Sequence, residues 1–89
     1  MSLDERRTAS RVTGRILAIT PKGSLTVRSD GPAYPREGTI VGVPRRSFEG
    51  KVVRIFGPVA RPYWSVRPRQ VPSVDEAVAL LGSTLEPIR

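Results

Sequence analysis

Short segments in which apolar and polar residues alternate, separated by glycine and proline, run through most of this chain. Residues 24–28 read Ser-Leu-Thr-Val-Arg. Because successive side chains of a strand point to opposite faces, Leu25 and Val27 are predicted to face inward. Residues 11–19 have the same period, and the Pro-Lys-Gly sequence at 21–23 is typical of a turn. These two segments are therefore predicted to form a β-hairpin.

Three more segments have the composition of strands, at residues 39–43, 51–56 and 60–67. Pro62 lies inside the last of them, which favours an edge or a bulge because proline cannot donate to a sheet ladder. Five or six short strands with turns at this spacing predict an all-β fold, a small barrel rather than alternating strands and helices.

The two ends of the chain differ from this middle part. Residues 1–10 are polar and aperiodic, and we predict a flexible N-terminal arm there. We assign residues 11–70 to the barrel domain and residues 71–89 to a short C-terminal helix and tail.

The helix is predicted from its first turn. Ser73 and Glu76 have the spacing of a capping box, and Gly82 is a plausible end. A helix of this length is marginal by itself, so its apolar face should pack on the barrel or on a partner. The residues of that predicted face are Val74, Ala77, Val78 and Leu81.

The composition disfavours catalysis. The chain has no histidine and no cysteine, which removes the commonest general base, the commonest metal ligand and any disulfide. Its eight acidic residues are scattered rather than clustered as in an oxygen-ligated metal site. We therefore expect a protein that is not an enzyme, with no metal, cofactor or small-molecule substrate.

The charge points to a polyanionic environment. Fifteen basic residues against eight acidic ones give a net charge of +7 and a pI of about 11.3. No apolar run is long enough for a signal peptide or a membrane helix, so a soluble intracellular protein without a membrane partner is expected. Candidate contacts with RNA phosphates or acidic surfaces, against the alternative of solvated surface charge, are Arg45, Arg46, Arg61, Arg67 and Arg69.

Residues 50–68 read Gly-Lys-Val-Val-Arg-Ile-Phe-Gly-Pro-Val-Ala-Arg-Pro-Tyr-Trp-Ser-Val-Arg-Pro. This order closely resembles the signature of the Gar/Naf family, the GAR-type subunit of H/ACA ribonucleoproteins. The parts at 14–16, 23–28 and 35–41 also look similar, so the resemblance covers residues 12–68. The chain lacks the glycine-arginine tails of eukaryotic members, which suggests an archaeal-type core protein.

The resemblance implies a fold and a partner. The implied fold is a six-stranded split β-barrel like domain two of translation elongation factors. The implied partner is a dyskerin-like pseudouridine synthase catalytic subunit, within a particle that holds the other H/ACA core proteins and contacts guide RNA indirectly. The implied role is to assist loading and release of substrate RNA in rRNA pseudouridylation and ribosome biogenesis. The implied location is the cytoplasm, or the nucleolus in a eukaryote.

Three alternatives stay open. The net charge of +7 is also typical of an independent RNA-binding barrel. The assembly-factor branch of the same family shares the barrel signature. An appended barrel of a translation factor is a minor alternative, since no nucleotide-binding domain accompanies it.

A docking surface is expected where the signature lies. Alternation places Val53 and Ile55 on one face of their strand and Val52 and Phe56 on the other, and a barrel has only one inside. One apolar set must then face outward and mark an interface. In the next strand Trp64 and Val66 are expected inside. The predicted partner-binding residues are Ile55, Phe56, Gly57, Pro58, Val59, Pro62 and Tyr63.

Overall fold

The computed structural model describes residues 12–88, so the arm predicted over residues 1–10 lies outside the described residues. The described part contains six strands and one helix. In chain order these are β1 (Gly14–Ile19), β2 (Leu25–Ser29), β3 (Ile40–Gly42), β4 (Glu49–Phe56), β5 (Tyr63–Pro68), α1 (Val74–Leu80) and β6 (Thr84–Pro87).

The strands close into an antiparallel barrel in the order β1-β2-β5-β4-β3-β6. The predicted β1–β2 hairpin is present, with Ile16 opposite Val27. Strand β2 then pairs with β5, and β5 pairs with β4. The prediction of an all-β protein, a small six-stranded barrel with one short helix, is confirmed.

The last strand was not predicted, because residues 83–89 were assigned to a tail. Instead, β6 lies between β1 and β3, with Leu85 opposite Gly14 and Pro87 opposite Val41. Leu85 is completely buried. A four-residue strand that ends at a proline has too few alternating positions to show a strand period in the sequence. The helix is therefore a connection inside the barrel topology.

The barrel interior holds the apolar side chains that alternation assigned to it. Leu25, Val27, Trp64 and Val66 are completely buried, as predicted. The full set of buried hydrophobic residues in the described part is Ile16, Leu25, Val27, Val41, Val43, Val52, Trp64, Val66, Leu80 and Leu85.

Strand β4 departs from simple alternation. Its pairing with β5 shifts by one residue between Val52 and Arg54, which is the signature of a β-bulge at Val53. Val52 is completely buried, Val53 is exposed, and Ile55 packs against the core opposite Trp64. The expectation that Val52 and Ile55 face opposite sides was therefore wrong, because the bulge reverses the alternation.

Helix α1 begins as predicted but buries a different residue. The capping box forms, with Ser73 Oγ accepting from the Glu76 amide at 3.2 Å and Glu76 Oε1 accepting from the Ser73 amide at 2.9 Å. Gly82 follows the helix with a φ of +82°, in the left-handed region that favours glycine. Leu80 is the buried residue of α1, whereas the predicted apolar face of Val74, Val78 and Leu81 is exposed. The predicted apolar face is therefore not the side of α1 that packs on the barrel.

Candidate functional site

Two aromatic side chains stack on the outside of the barrel where β4 ends and β5 begins. Phe56 and Tyr63 lie directly opposite each other across the two strands. Their ring centroids are 5.6 Å apart with an interplanar angle of 25°. The guanidinium carbon of Arg54 lies 5.3 Å from the centroid of the Phe56 ring, within cation–π range. The rings are thus held in place before any partner binds.

The turn that joins these strands depends on Gly57. Its φ is +95°, a conformation that side-chain-bearing residues rarely adopt. A Cβ atom at this position would lie 2.6 Å from Cδ2 of Tyr63, which is closer than real Cβ contacts come. Glycine therefore lets the tyrosine ring lie flat against the backbone of the turn.

Beyond this glycine the turn presents apolar side chains to solvent. Pro58 is exposed, and Val59 is 89% exposed. Phe56 is 37% exposed, while Tyr63 is half-buried. We call Phe56, Gly57, Pro58, Val59 and Tyr63 the aromatic patch. It is an apolar surface built on the paired ends of β4 and β5 and on the turn that joins them.

Two of the seven predicted docking residues lie apart from this patch. Ile55 is half-buried and packs against the core. Pro62 is buried, and its carbonyl oxygen accepts a hydrogen bond from the Ser29 amide at 2.8 Å. Both residues belong to the barrel wall. The other five form the surface patch, four of them exposed and Tyr63 half-buried.

The predicted arginines fall into three separate places. Arg61 lies beside the aromatic patch, and its Nε donates to the Ser29 carbonyl at 3.4 Å. Arg67 is exposed on β5. Arg45, Arg46 and Arg69 line a surface groove of about 550 Å³ near the start of β4, the end of that strand remote from Phe56. The structure thus brings together only three of the five residues.

Strand register reveals a second basic cluster that sequence reasoning missed. Arg15 lies opposite Arg28, and Lys51 lies opposite Arg67, on the polar sides of their strands. Arg54 lies on β4 as well, opposite Ser65 of β5. We call Lys51, Arg54 and Arg67, on the neighbouring strands β4 and β5, the basic face. The polar positions were visible in the sequence, but which strands are neighbours was not.

The described part of the chain offers no metal site of the usual kind. Within residues 12–88 no three Asp or Glu side chains are grouped so as to hold a metal ion. Searched over the same residues, α1 is too short and too polar to cross a membrane. The aromatic patch and the basic face adjoin at Arg54, whose guanidinium carbon lies over the Phe56 ring.

Comparison with known proteins adds no assignment to this geometry. No protein-family model matches the chain, and no curated protein matches it either.

Proposed function

We propose that this chain is the non-catalytic GAR-type subunit of an archaeal-type H/ACA ribonucleoprotein. In this proposal the aromatic patch docks onto a dyskerin-like pseudouridine synthase. The observation that carries it is the exposed Phe56–Tyr63 stack on the Gly57 turn. These are the residues at which the sequence most closely resembles the Gar/Naf signature.

The patch has the physical properties of a docking surface. Large apolar side chains such as Phe56 and Val59 lose contact with water when a partner covers them, and each contributes about 1.5–3 kcal/mol when fully buried. The two rings stack on paired strand ends, and such preorganisation lowers the entropy cost of binding. Aromatic side chains at the centre of an interface commonly supply most of its binding energy. A patch this small would act as the centre of a larger contact.

The proposed role is supported by the exposure of the described aspartates and by the aromatic patch. Pseudouridine formation needs a catalytic aspartate in a buried site. The described aspartates, Asp30 and Asp75, are both exposed. The chemistry would remain on the synthase, while this subunit assists loading and release of substrate RNA in rRNA pseudouridylation. The remaining core proteins and the guide RNA would belong to the same particle.

The docking surface can be tested with Phe56→Ala combined with Val59→Ala. We expect the double variant to bind the purified synthase about 10- to 100-fold more weakly, because Val59 and the exposed third of Phe56 together lose roughly 1.5–3 kcal/mol of apolar burial. Binding is measured by calorimetry and by co-elution, and pseudouridine formation in a reconstituted particle should fall to the level without the subunit.

The matched control is Leu17→Ala combined with Tyr34→Ala, which removes one aliphatic and one aromatic side chain, both exposed, from β1 and from the loop before β3. It should bind the synthase as the unaltered chain does. Circular dichroism and urea unfolding confirm that both variants are folded. Unchanged affinity of the Phe56/Val59 variant, or an equal loss in the control, would show that the patch is not the docking surface.

A further inference from the structure

The groove near the start of β4 is built from two segments that are far apart in the chain. Arg45 and Arg46 lie in the turn after β3, while Arg69 and Gln70 follow β5. The Arg69 amide donates to the Glu49 carbonyl at 2.9 Å, which joins the two segments. The groove volume of about 550 Å³ lies within the range typical of ligand sites, about 300–1,000 Å³. We call this groove the arginine groove.

Arg45 has a backbone conformation that does not suit an arginine. Its φ is +68°, and among the described residues it is the only one with a positive φ that is not a glycine. The Arg46 amide donates to the Val43 carbonyl at 3.1 Å, which closes a β-turn over residues 43–46. Because Pro44 fixes its own φ near −65°, a positive φ at the next residue makes this a type II turn, where glycine is favoured. An arginine retained at such a position points to a function for its side chain.

The two arginines of this turn have no ionic partner within residues 12–88. Both are exposed, and neither guanidinium forms a hydrogen bond or an ion pair there. Arg69, in contrast, lies 3.7 Å from the Glu49 carboxylate. Arg45 and Arg46 can therefore pair with an anionic ligand without first breaking a contact. The planar fork of an arginine can bind both oxygens of one carboxylate.

The lining of the groove is mixed in charge. Glu49 and Glu76 lie beside the three arginines, so the lining carries a net charge of +1. A nucleic-acid backbone bears a negative charge at every phosphate and would meet both carboxylates, which repel it. A peptide has fewer charges, and its backbone N–H groups can donate to carboxylates and to an amide oxygen such as that of Gln70. The mixed lining thus favours a peptide over a nucleic acid.

The same groove has apolar parts. Phe48 packs against the core, Leu80 of α1 is buried, and Val71 is 69% exposed. Pro72 follows Val71 along the lining. Covering Val71 removes apolar surface from water, which favours binding. A well-fitting ligand therefore carries apolar as well as acidic side chains.

We infer that the arginine groove binds a short peptide segment of a partner protein, one that carries acidic and apolar side chains. Carboxylates of the segment pair with Arg45 and Arg46, and its apolar side chains cover Val71. The groove lies at the end of β4 remote from Phe56, so this site is separate from the aromatic patch and does not depend on the proposed function.

The test uses the full chain and a fluorescein-labelled peptide of four Glu-Leu repeats, with binding followed by anisotropy. Arg45→Gly should weaken binding about 3- to 10-fold, because a charge-assisted contact is lost. The same variant should raise the urea midpoint, because glycine suits a positive φ. Arg46→Gln removes the neighbouring charge without changing the third position of the turn, and should weaken binding by a similar factor. Unchanged affinity in both variants, or a lower urea midpoint for Arg45→Gly, would overturn the proposal.

A control of equal net charge separates the groove from general attraction. Arg45→Gly combined with Arg46→Gln is compared with Arg15→Gln combined with Arg36→Gln, two exposed arginines outside the groove. The groove variant should bind the probe about 10-fold or more weakly, and the control should lose less than about threefold through net charge alone. Equal losses would count against the proposal, since binding would then follow net charge.

The kind of ligand is tested with two further probes. Four Glu-Gly repeats carry the same charge without apolar side chains and should bind more weakly than Glu-Leu repeats; equal affinity would contradict the apolar part of the site. Labelled oligouridine should lose no more affinity in the groove variant than in the control. A larger loss would show that the groove binds nucleic acid and would overturn the choice of a peptide.

The Phe56/Val59 variant separates this proposal from the proposed function. It should bind the Glu-Leu probe as the unaltered chain does, because the aromatic patch lies at the other end of β4. Loss of probe binding in that variant would place the peptide on the aromatic patch and overturn the assignment to the groove.

Discussion

Trp64 lies in the barrel interior, and the N–H group of its indole ring is hydrogen-bonded to the buried side chain of Ser29. Its Nε1 donates to Ser29 Oγ at 2.6 Å, and both residues are completely buried. No buried side-chain nitrogen or oxygen in the described part of the chain lacks a partner. A buried indole N–H without an acceptor is costly, so this pair depends on both members.

At the residue scale we predict that Ser29→Ala lowers the free energy of unfolding by about 1–3 kcal/mol, because it leaves the Trp64 N–H unsatisfied. Trp64→Phe should also destabilise, and the double variant should lose less than the sum of the two single losses. Urea unfolding of all four proteins measures the coupling. Ser47→Ala, at an exposed serine, is the control and should change stability by less than about 0.5 kcal/mol. Strict additivity would show that the two side chains act independently.

At the scale of elements, β4 shows how one extra residue changes a binding surface. Val52 and Val53 are adjacent residues of the same type, and nothing in the sequence distinguishes the buried one from the bulged one. The bulge lets Val52 and Ile55 both face the core and turns Phe56 outward. Without the bulge, strict alternation from Val52 would turn Phe56 into the core. The bulge shifts the alternation by one residue, so Phe56 faces outward and can form the aromatic patch.

Helix α1 depends on its cap, and the prediction at this scale is a loss of local order. Ser73→Ala removes the acceptor of the Glu76 amide and should lower stability by about 1 kcal/mol. Glu76→Gln should retain most of the stability, since glutamine also completes a capping box. Amide hydrogen exchange reports α1 directly, and Ser73→Ala should accelerate exchange there. Exchange rates identical to those of the unaltered chain would mean that the cap does not hold this helix.

At the scale of the whole molecule, β6 decides whether the barrel is closed. It pairs with both β1 and β3, which would otherwise be edges of an open sheet. It also supplies Leu85, a completely buried core residue. Residues that the sequence analysis assigned to a tail therefore complete both the hydrogen bonding and the core.

A chain that ends at Ser83 should accordingly fail to fold as a closed barrel. Loss of one core leucine alone costs about 2–5 kcal/mol, a large part of the 5–15 kcal/mol by which small domains are stable. The open edges of β1 and β3 should also promote association. Circular dichroism, thermal unfolding and gel filtration make the test, with a chain lacking only Arg89 as the control. Cooperative unfolding of a monomeric truncated chain would contradict this prediction.

Features governed by nearby residues could be predicted from the sequence. The hairpin of β1 and β2 follows from alternation and a turn, and the cap at Ser73 follows from spacing. The inward positions of Leu25 and Trp64 follow from a period of two. The exposed part of the aromatic patch could be located because a short Gly-Pro turn joins its strands.

Features governed by residues far apart in the chain could not be predicted from the sequence. The basic face depends on which strands are neighbours and in what register, as the pairing of Lys51 with Arg67 shows. The side of α1 that packs on the barrel could not be predicted either, because Leu80 is buried and Val78 is exposed.

The sequence by itself determined the strand segments, most of their inward faces and the absence of histidine and cysteine chemistry. Only the tertiary structure decided that β6 closes the barrel, that β4 bulges at Val53 and that Lys51 lies opposite Arg67. The physical reason is that alternation is set by the geometry of a single strand. Closure, bulges and register are set by hydrogen bonds and packing between segments far apart in the chain.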